Sequence, residues 1–174
     1  MGGIGRNLAR KAQAFGMRTR YHNRTRLDPA LEKECDVEYV DLDTLLATSD
    51  VLSLNLPLNR HTRHIISTAE FAKMKEGIII INTARGAVLD EEALVAALKS
   101  GRVASAGLDV FENEPAVHPE LLANEDVLLV PHMGTWTVET LTSMEEWTIR
   151  NVQMALEQGK LLSIVPEQAS MSLG

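Results

Sequence analysis

Three apolar runs in this sequence each give way to loop at a different ionisable side chain. Ile78-Ile79-Ile80-Ile81-Asn82 leads through Thr83 and Ala84 to Arg85. Ala106-Gly107-Leu108 leads through Asp109-Val110-Phe111 to Glu114, and Val127-Leu128-Leu129-Val130 leads through Pro131 to His132. Short apolar runs bounded by loop read as strands, and near-continuous ones belong in a parallel sheet covered on both faces. Open α/β folds bind ligands outside the carboxyl ends of such strands. An arginine, a carboxylate and an imidazole gathered there can hold a carboxylate-bearing substrate and move a proton at a carbonyl.

The stretches between the runs carry helical spacing. From Gly5 to Phe15, the residues Ile4, Leu8, Ala12 and Phe15 recur three to four apart, with Arg6, Arg10 and Lys11 facing out and Gly16 as a stop. Further helices are expected around Asp43 to Thr48 and Thr68 to Lys75. Another, capped by Asp90, should place Ala93, Leu94, Ala97 and Leu98 on one face. A long one should run from about Thr137 to Gln158, ended by Gly159. Additional strands are expected near Met17 to His22, Val37 to Val40 and Val51 to Leu56, the last closed by Pro57. The segment Asn23 to Pro29 reads as loop. Strands alternating with helices of this length are βαβ units on a parallel sheet.

The length of 174 residues suits one domain with a real core. A net charge of −7 argues against nucleic acid or an anionic membrane surface as the main partner. The single cysteine, Cys35, permits no internal disulfide and suits a reducing compartment. No run approaches the roughly 20 apolar residues that span a bilayer, and the start Met1-Gly2-Gly3-Ile4-Gly5-Arg6 has no secretory character. A cytoplasmic location is expected.

Gly2-Gly3-Ile4-Gly5 opening into a helix matches the last two thirds of G-x-G-x-x-G, with Gly2 as second glycine and Gly5 as third. The strand that would feed this loop holds the centre of a doubly wound sheet. Without it, two neighbouring strands lack a partner. Near the spacing where an acidic residue would take the ribose hydroxyls of NAD, the chain carries Asn23-Arg24-Thr25-Arg26. Two guanidinium groups and a hydroxyl suit a 2′-phosphate, which a carboxylate would repel, so NADP is favoured over NAD. An exposed basic loop with no ligand is the plain alternative.

His132 follows a buried strand and precedes Met133-Gly134-Thr135; a neighbouring carboxylate would keep a proton available on it. Glu114 and Glu112 compete for that position, and spacing alone does not choose between them. His22, His61, His64 and His118 show no ligand spacing, so no metal site is assigned. No serine sits in a nucleophile elbow, which leaves hydrolase chemistry without support.

The ordered blocks Gly2-Gly3-Ile4-Gly5, Leu56-Pro57-Leu58 with Thr62, Asn82-Thr83-Ala84-Arg85-Gly86, Asp90 with Ala93-Leu94, Ala106 to Phe111, Glu114-Pro115 and Pro131-His132-Met133-Gly134 resemble the cofactor-binding domain of the D-isomer-specific 2-hydroxyacid dehydrogenases. That group includes the glyoxylate/hydroxypyruvate reductases. The resemblance implies an α/β, doubly wound (Rossmann-like) parallel sheet lacking its first central strand and the substrate domain. A NAD(P)-binding domain over 1–159 would be followed by a tail over 160–174.

By the same resemblance, Arg85 would hold the substrate carboxylate, His132 would exchange a proton with the substrate oxygen, and Glu114 rather than Glu112 would pair with the histidine. Asp109 would orient the nicotinamide carboxamide. Gly2, Ile4 and Gly5 would approach the pyrophosphate, and Asn23, Arg24 and Thr25 the 2′-phosphate. Pro57 and Thr62 would face the adenosine side, and Thr83, Ala84 and Gly134 would complete the cofactor cleft.

The chain departs from the family's pattern in lacking the first glycine, its strand and the second domain. Two roles follow as expectations. One is an NADP-linked reductase of small 2-keto acids, either seen here as a fragment or completed by another chain, with a homo-oligomer or a complementing chain as partner. The other is a redox-inactive member kept for binding, oligomerisation or non-redox chemistry. The final helix is expected to leave an apolar face bare, the mark of an interface.

Overall fold

A computed structural model of the chain describes residues 1–165 and 168. It divides into two compact units, Met1–His132 and the residues from Met133 onward. In the first unit, α1 (Gly3–Ala14) precedes β1 (Thr19–Tyr21), α2 (Pro29–Cys35), β2 (Val37–Tyr39) and α3 (Leu42–Thr48). Then come β3 (Val51–Leu54), α4 (Thr68–Lys73), β4 (Ile78–Asn82), α5 (Glu91–Lys99), β5 (Val103–Leu108), α6 (Pro119–Leu122) and β6 (Val127–Leu129).

All strand pairs are parallel, in two sheets ordered β1-β2 and β3-β4-β5-β6. The expected α/β architecture is therefore observed. Among the described strands none bridges β1 to β3, which is where a doubly wound order places the strand feeding the glycine loop.

Side-chain caps define several helix starts. Asp90 accepts Ala93 N–H at 3.1 Å, and Asp41 accepts Thr44 N–H at 2.8 Å. Ser67 and Glu70 form a capping box on α4. The core gathers Leu46, Leu52, Leu54, Phe71, Ile78, Ile80, Leu94 and Leu108 between α3, α4, α5 and one face of the larger sheet. Each fully buried Leu or Ile there contributes about 1.5–3 kcal/mol. A smaller cluster of Ala9, Tyr21, Cys35 and Val37 joins α1, α2 and the two-stranded sheet.

Two expectations are corrected. The larger sheet is not covered on both faces. Val51 pairs in register with Ile79, Ile81 with Gly107, and Gly107 with Leu128; on that face Val51, Ile79 and Leu128 are exposed, Leu128 at 70%. The apolar character of these strands is thus continuous while their burial alternates. Helix α1 also buries a different face from the one expected. Gly5 and Ala9 are buried, whereas Ile4, Leu8 and Phe15 are exposed. Close approach selects the small residues: a Cβ on Gly5 would already lie 3.1 Å from Met1 Cγ.

Helices α2 and α6, absent from the sequence reading, each begin with proline after a side-chain cap, Asp28 and His118.

The second unit is built on α7 (Val138–Gln158), capped by Thr137 and ended by Gly159 in the left-handed conformation at φ 63°. The chain then turns back along the helix. Leu162 N–H and Ser163 N–H donate to Asn151 Oδ1, and Trp147 Nε1–H donates to Ser163 Oγ. Leu141, Met144, Trp147 and Val152 are exposed, as expected of a bare apolar face. Of the tail from 160 to 174, residues 166, 167 and 169–174 lie outside the described residues.

Candidate active site

The carboxyl ends of three strands coincide. Asn82 of β4 pairs in register with Leu108 of β5, and Leu108 with Leu129 of β6. Because the strands are parallel, the segments carrying Arg85, Glu114 and His132 leave the sheet at one edge.

The first segment is shaped by Asn82, whose side chain is buried at 1% exposure. Its Oδ1 accepts Ala84 N–H and its Nδ2–H donates to Arg85 C=O, both at 3.1 Å. This closes the turn that presents Arg85, and a short 3-10 turn, Gly86–Val88, follows. A Cβ on Gly86 would lie 1.9 Å from the Phe111 carbonyl carbon and 2.3 Å from Glu112 N. Only glycine lets the Arg85 turn lie against the backbone that leads to Glu114. Arg85 is exposed, and its Nη1–H donates to Ala84 C=O at 2.6 Å.

Glu114 faces both ways. Its Oε1 accepts Phe111 N–H at 2.9 Å, and its Oε2 bonds His132 Nδ1 at 2.9 Å. The His132 bond and then the Phe111 amide hold the Glu114 carboxyl below its ordinary range, with the Arg85 charge adding to them. Glu114 is therefore a carboxylate at neutral pH, which assigns the proton in this bond to Nδ1. His132 itself adopts φ 52°, with its N–H donating to Val130 C=O and its side chain half exposed. The competition between the two carboxylates is resolved: Glu112 Oε1 takes Arg63 Nη2 and His64 Nε2, both at 2.6 Å.

The remaining candidates, Gly134 apart, belong to the same unit. Gly2 is the cap of α1 with no side-chain cap bond, and a Cβ at Gly2 or Gly3 would meet nothing within 4 Å. Uncapped amides beside open glycines fit a phosphate at a helix N-terminus. Ile4 is exposed there and Gly5 is packed beneath.

Asn23, Arg24 and Thr25 form an exposed turn after β1, with Asn23 Nδ2–H donating to Thr25 C=O at 3.0 Å. The two-guanidinium expectation is corrected, because Arg26 is fork-bonded to Glu32 at 2.8 and 2.7 Å. Arg24 remains as the outward guanidinium. The donor set of this turn, with no carboxylate in it, fits a 2′-phosphate.

Thr62 Oγ1–H donates to Pro57 C=O at 2.7 Å and accepts Asn59 N–H at 2.8 Å, so the hydroxyl shapes its own loop beside exposed Pro57. Thr83 is exposed and Ala84 half-buried on the Arg85 turn. Asp109 is buried at the end of β5, its N–H donating to Asn82 C=O at 3.0 Å. Gly134 belongs to a turn of the second unit. No group of three metal-ligating side chains occurs among the described residues, and no described helix is long and apolar enough to cross a membrane.

Sequence reasoning missed Asn82 as the organiser of the arginine turn. Its signal was a lone polar residue ending an isoleucine run. It also missed Tyr21 and Glu32, which carried no signal beyond their residue types.

Residues 1–134 match the profile described as D-isomer specific 2-hydroxyacid dehydrogenase, NAD binding domain. The chain is 59% identical over 171 residues to 4-methyl-2-oxopentanoate reductase A of Aspergillus oryzae, covering 98% of this chain and 51% of that protein. The crystal structure of a glyoxylate reductase from Paecilomyes thermophila superposes with a TM-score of 0.93 at 59% identity, covering 97% of this chain and 51% of that one. An NADPH-dependent glyoxylate/hydroxypyruvate reductase from Sinorhizobium meliloti, solved with NADP and malonate, gives 0.89 at 34% identity over 95% and 51% of the two chains. The chain thus spans about half the length of the relatives it matches.

Proposed function

Since the chain belongs to the D-isomer specific 2-hydroxyacid dehydrogenases through their NAD binding domain, we propose that it carries the cofactor side and the acid–base of a reductase for small 2-keto acids, with NADP preferred over NAD. The observation that supports this most directly is the 2.9 Å Glu114–His132 bond, set at the sheet edge that also presents Arg85. Relatives named as glyoxylate and 4-methyl-2-oxopentanoate reductases support the substrate class. The NADPH-dependent relative and the Asn23-Arg24-Thr25 turn support the cofactor preference.

A nicotinamide cofactor, when bound, supplies the hydride for the carbonyl carbon. Gly2, Ile4 and Gly5 would hold its pyrophosphate, Asn23, Arg24 and Thr25 its 2′-phosphate, and Pro57 and Thr62 its adenosine. Thr83, Ala84 and Asp109 would complete the nicotinamide side. Arg85 binds the substrate carboxylate by a two-bond fork, exchanging its bond to Ala84 C=O for one to the ligand. His132 donates a proton from Nε2 to the substrate oxygen as negative charge develops there. Glu114 fixes the ring through Nδ1 and offsets the positive charge of the protonated form.

The test is NADPH-dependent reduction of glyoxylate or hydroxypyruvate, followed at the nicotinamide absorbance, with Arg85→Ala and His132→Gln beside the parent. Turnover abolished in both variants is the expected result. A folded sample that binds NADPH, turns over nothing and forms a stable oligomer would overturn the reductase reading in favour of a redox-inactive scaffold.

A further inference from the structure

Beneath the exposed Asn23-Arg24-Thr25 turn lies a buried network that neither the acid–base pair nor the cofactor contacts use. Tyr21, the last residue of β1, is 4% exposed. Its hydroxyl donates to Glu32 Oε1 at 2.6 Å and accepts Leu27 N–H at 2.9 Å. Arg26 reaches the same carboxylate from the loop, Nε to Oε1 at 2.8 Å and Nη2 to Oε2 at 2.7 Å. Its guanidinium carbon lies 5.4 Å from the centre of the Tyr39 ring, within cation–π range. The Arg26 fork and then the Tyr21 hydroxyl pull the Glu32 carboxyl down to about 2, against the opposing effect of burial.

The loop is therefore tied at both ends. At its start, His22 Nδ1 bonds Val40 C=O at 3.1 Å, one residue past the neighbouring strand. At its end, Arg26 and Leu27 are fastened to Glu32 and Tyr21. Between these anchors stand only the three residues assigned to the 2′-phosphate, held in a turn by the Asn23 side chain. A carboxylate this close to a phosphate would repel it if left bare. The Arg26 fork removes that repulsion and leaves Arg24 to act on the ligand.

We propose that Tyr21, Glu32 and Arg26 are positioning residues for cofactor discrimination, a clamp on the buried Tyr21 and Glu32 that holds the 23–25 turn in the shape that accepts a 2′-phosphate. This rests on the NADP reading above. Loosening the clamp lowers the fraction of time the turn is competent, and the apparent affinity for the phosphorylated cofactor falls by that fraction. NADH has no phosphate to place there, only ribose hydroxyls, and depends on the turn less.

The experiment is calorimetric titration of the chain with NADPH and with NADH. Tyr21→Phe removes one hydroxyl and no charge; Arg26→Lys keeps the charge and removes the fork. If the turn is competent about a tenth of the time in either variant, NADPH binding weakens about tenfold while NADH binding weakens much less. Equal weakening of both nucleotides, as a merely structural role would give, overturns the clamp, and so does no weakening. Should Tyr21→Phe fail to fold, Arg26→Lys decides alone, its side chain being 60% exposed. Arg24→Ala separates the two ideas. If it spares neither nucleotide selectively, the 2′-phosphate reading falls and the clamp with it; if it is selective while the other two variants are not, the clamp alone falls.

Discussion

Gly86 and Phe111 meet backbone to backbone: a single Cβ on residue 86 would sit 1.9 Å from the Phe111 carbonyl carbon and 2.0 Å from its oxygen. The contact joins the turn after β4 to the loop after β5, and so sets Arg85 against the segment that carries Glu114. Gly86→Ala is expected to cost about 3 kcal/mol or more, since the obstructing atoms are backbone and cannot rotate away. Chemical denaturation of the variant measures this. A loss below about 0.5 kcal/mol, the range of an ordinary surface change, would show that the two loops slide apart freely.

Asn82 acts on the same turn from inside the sheet. Asn82→Leu keeps the volume and strands Ala84 N–H and Arg85 C=O, so a loss of about 1–3 kcal/mol is expected for each group that finds no water. The kinetic signature should be a KM for the keto acid raised by more than any loss of NADPH affinity, because the turn places Arg85 directly while most of the nucleotide contacts lie on other loops. Unchanged KM would mean that Arg85 is placed by something other than this turn.

Much of this arrangement was legible in the sequence because apolar periodicity and end signals agree. Asp90 before an amphipathic stretch, Gly159 after one, and the isoleucine run from Ile78 all lead to the elements observed. The carboxyl-edge placement of Arg85, Glu114 and His132 follows from parallel strands alone. Choosing Glu114 over Glu112 did not, because two residues two apart on a loop are separated only by tertiary partners, here His132 for one and Arg63 with His64 for the other. The buried face of α1 was misjudged because large apolar side chains were given more weight than the small residues that allow close approach. Helix α2 was left unassigned although Asp28-Pro29 is a start signal, since the helix has only seven residues and their charges mask the buried Glu32 and Cys35.

The Glu114–His132 bond predicts a particular kinetic loss. Glu114→Gln keeps the shape and removes the charge that offsets the protonated imidazole. The rate of keto-acid reduction should fall about a hundredfold, the lower range for a positioned proton donor, with NADPH affinity preserved. The Glu114 carboxyl is held below its ordinary 4.5, so its own loss of charge enters only as pH falls through that lowered value. Protonation of Glu114 therefore does not set the activity profile between pH 6 and 8. Single-turnover rates across that range check this, and a variant as fast as the parent would remove Glu114 from the proton path.

Glu32 makes an acid-stability prediction that is independent of any ligand. Its carboxyl lies at about 2 in the folded chain against an ordinary 4.5. A carboxyl lowered by folding stabilises the fold fully above its unfolded value, and the contribution is lost as pH falls through the folded one. The window is therefore from about pH 4.5 down to about pH 2. Thermal melts of the parent should fall more steeply across that window than melts of Glu32→Gln, which has no proton to take up. Near neutrality the parent should be the more stable, because the variant leaves the Arg26 fork without its charge partner. Toward pH 2 the two should converge. Parallel slopes would mean that Glu32 titrates as an ordinary exposed carboxylate, and the loop above it would then lack its charged anchor.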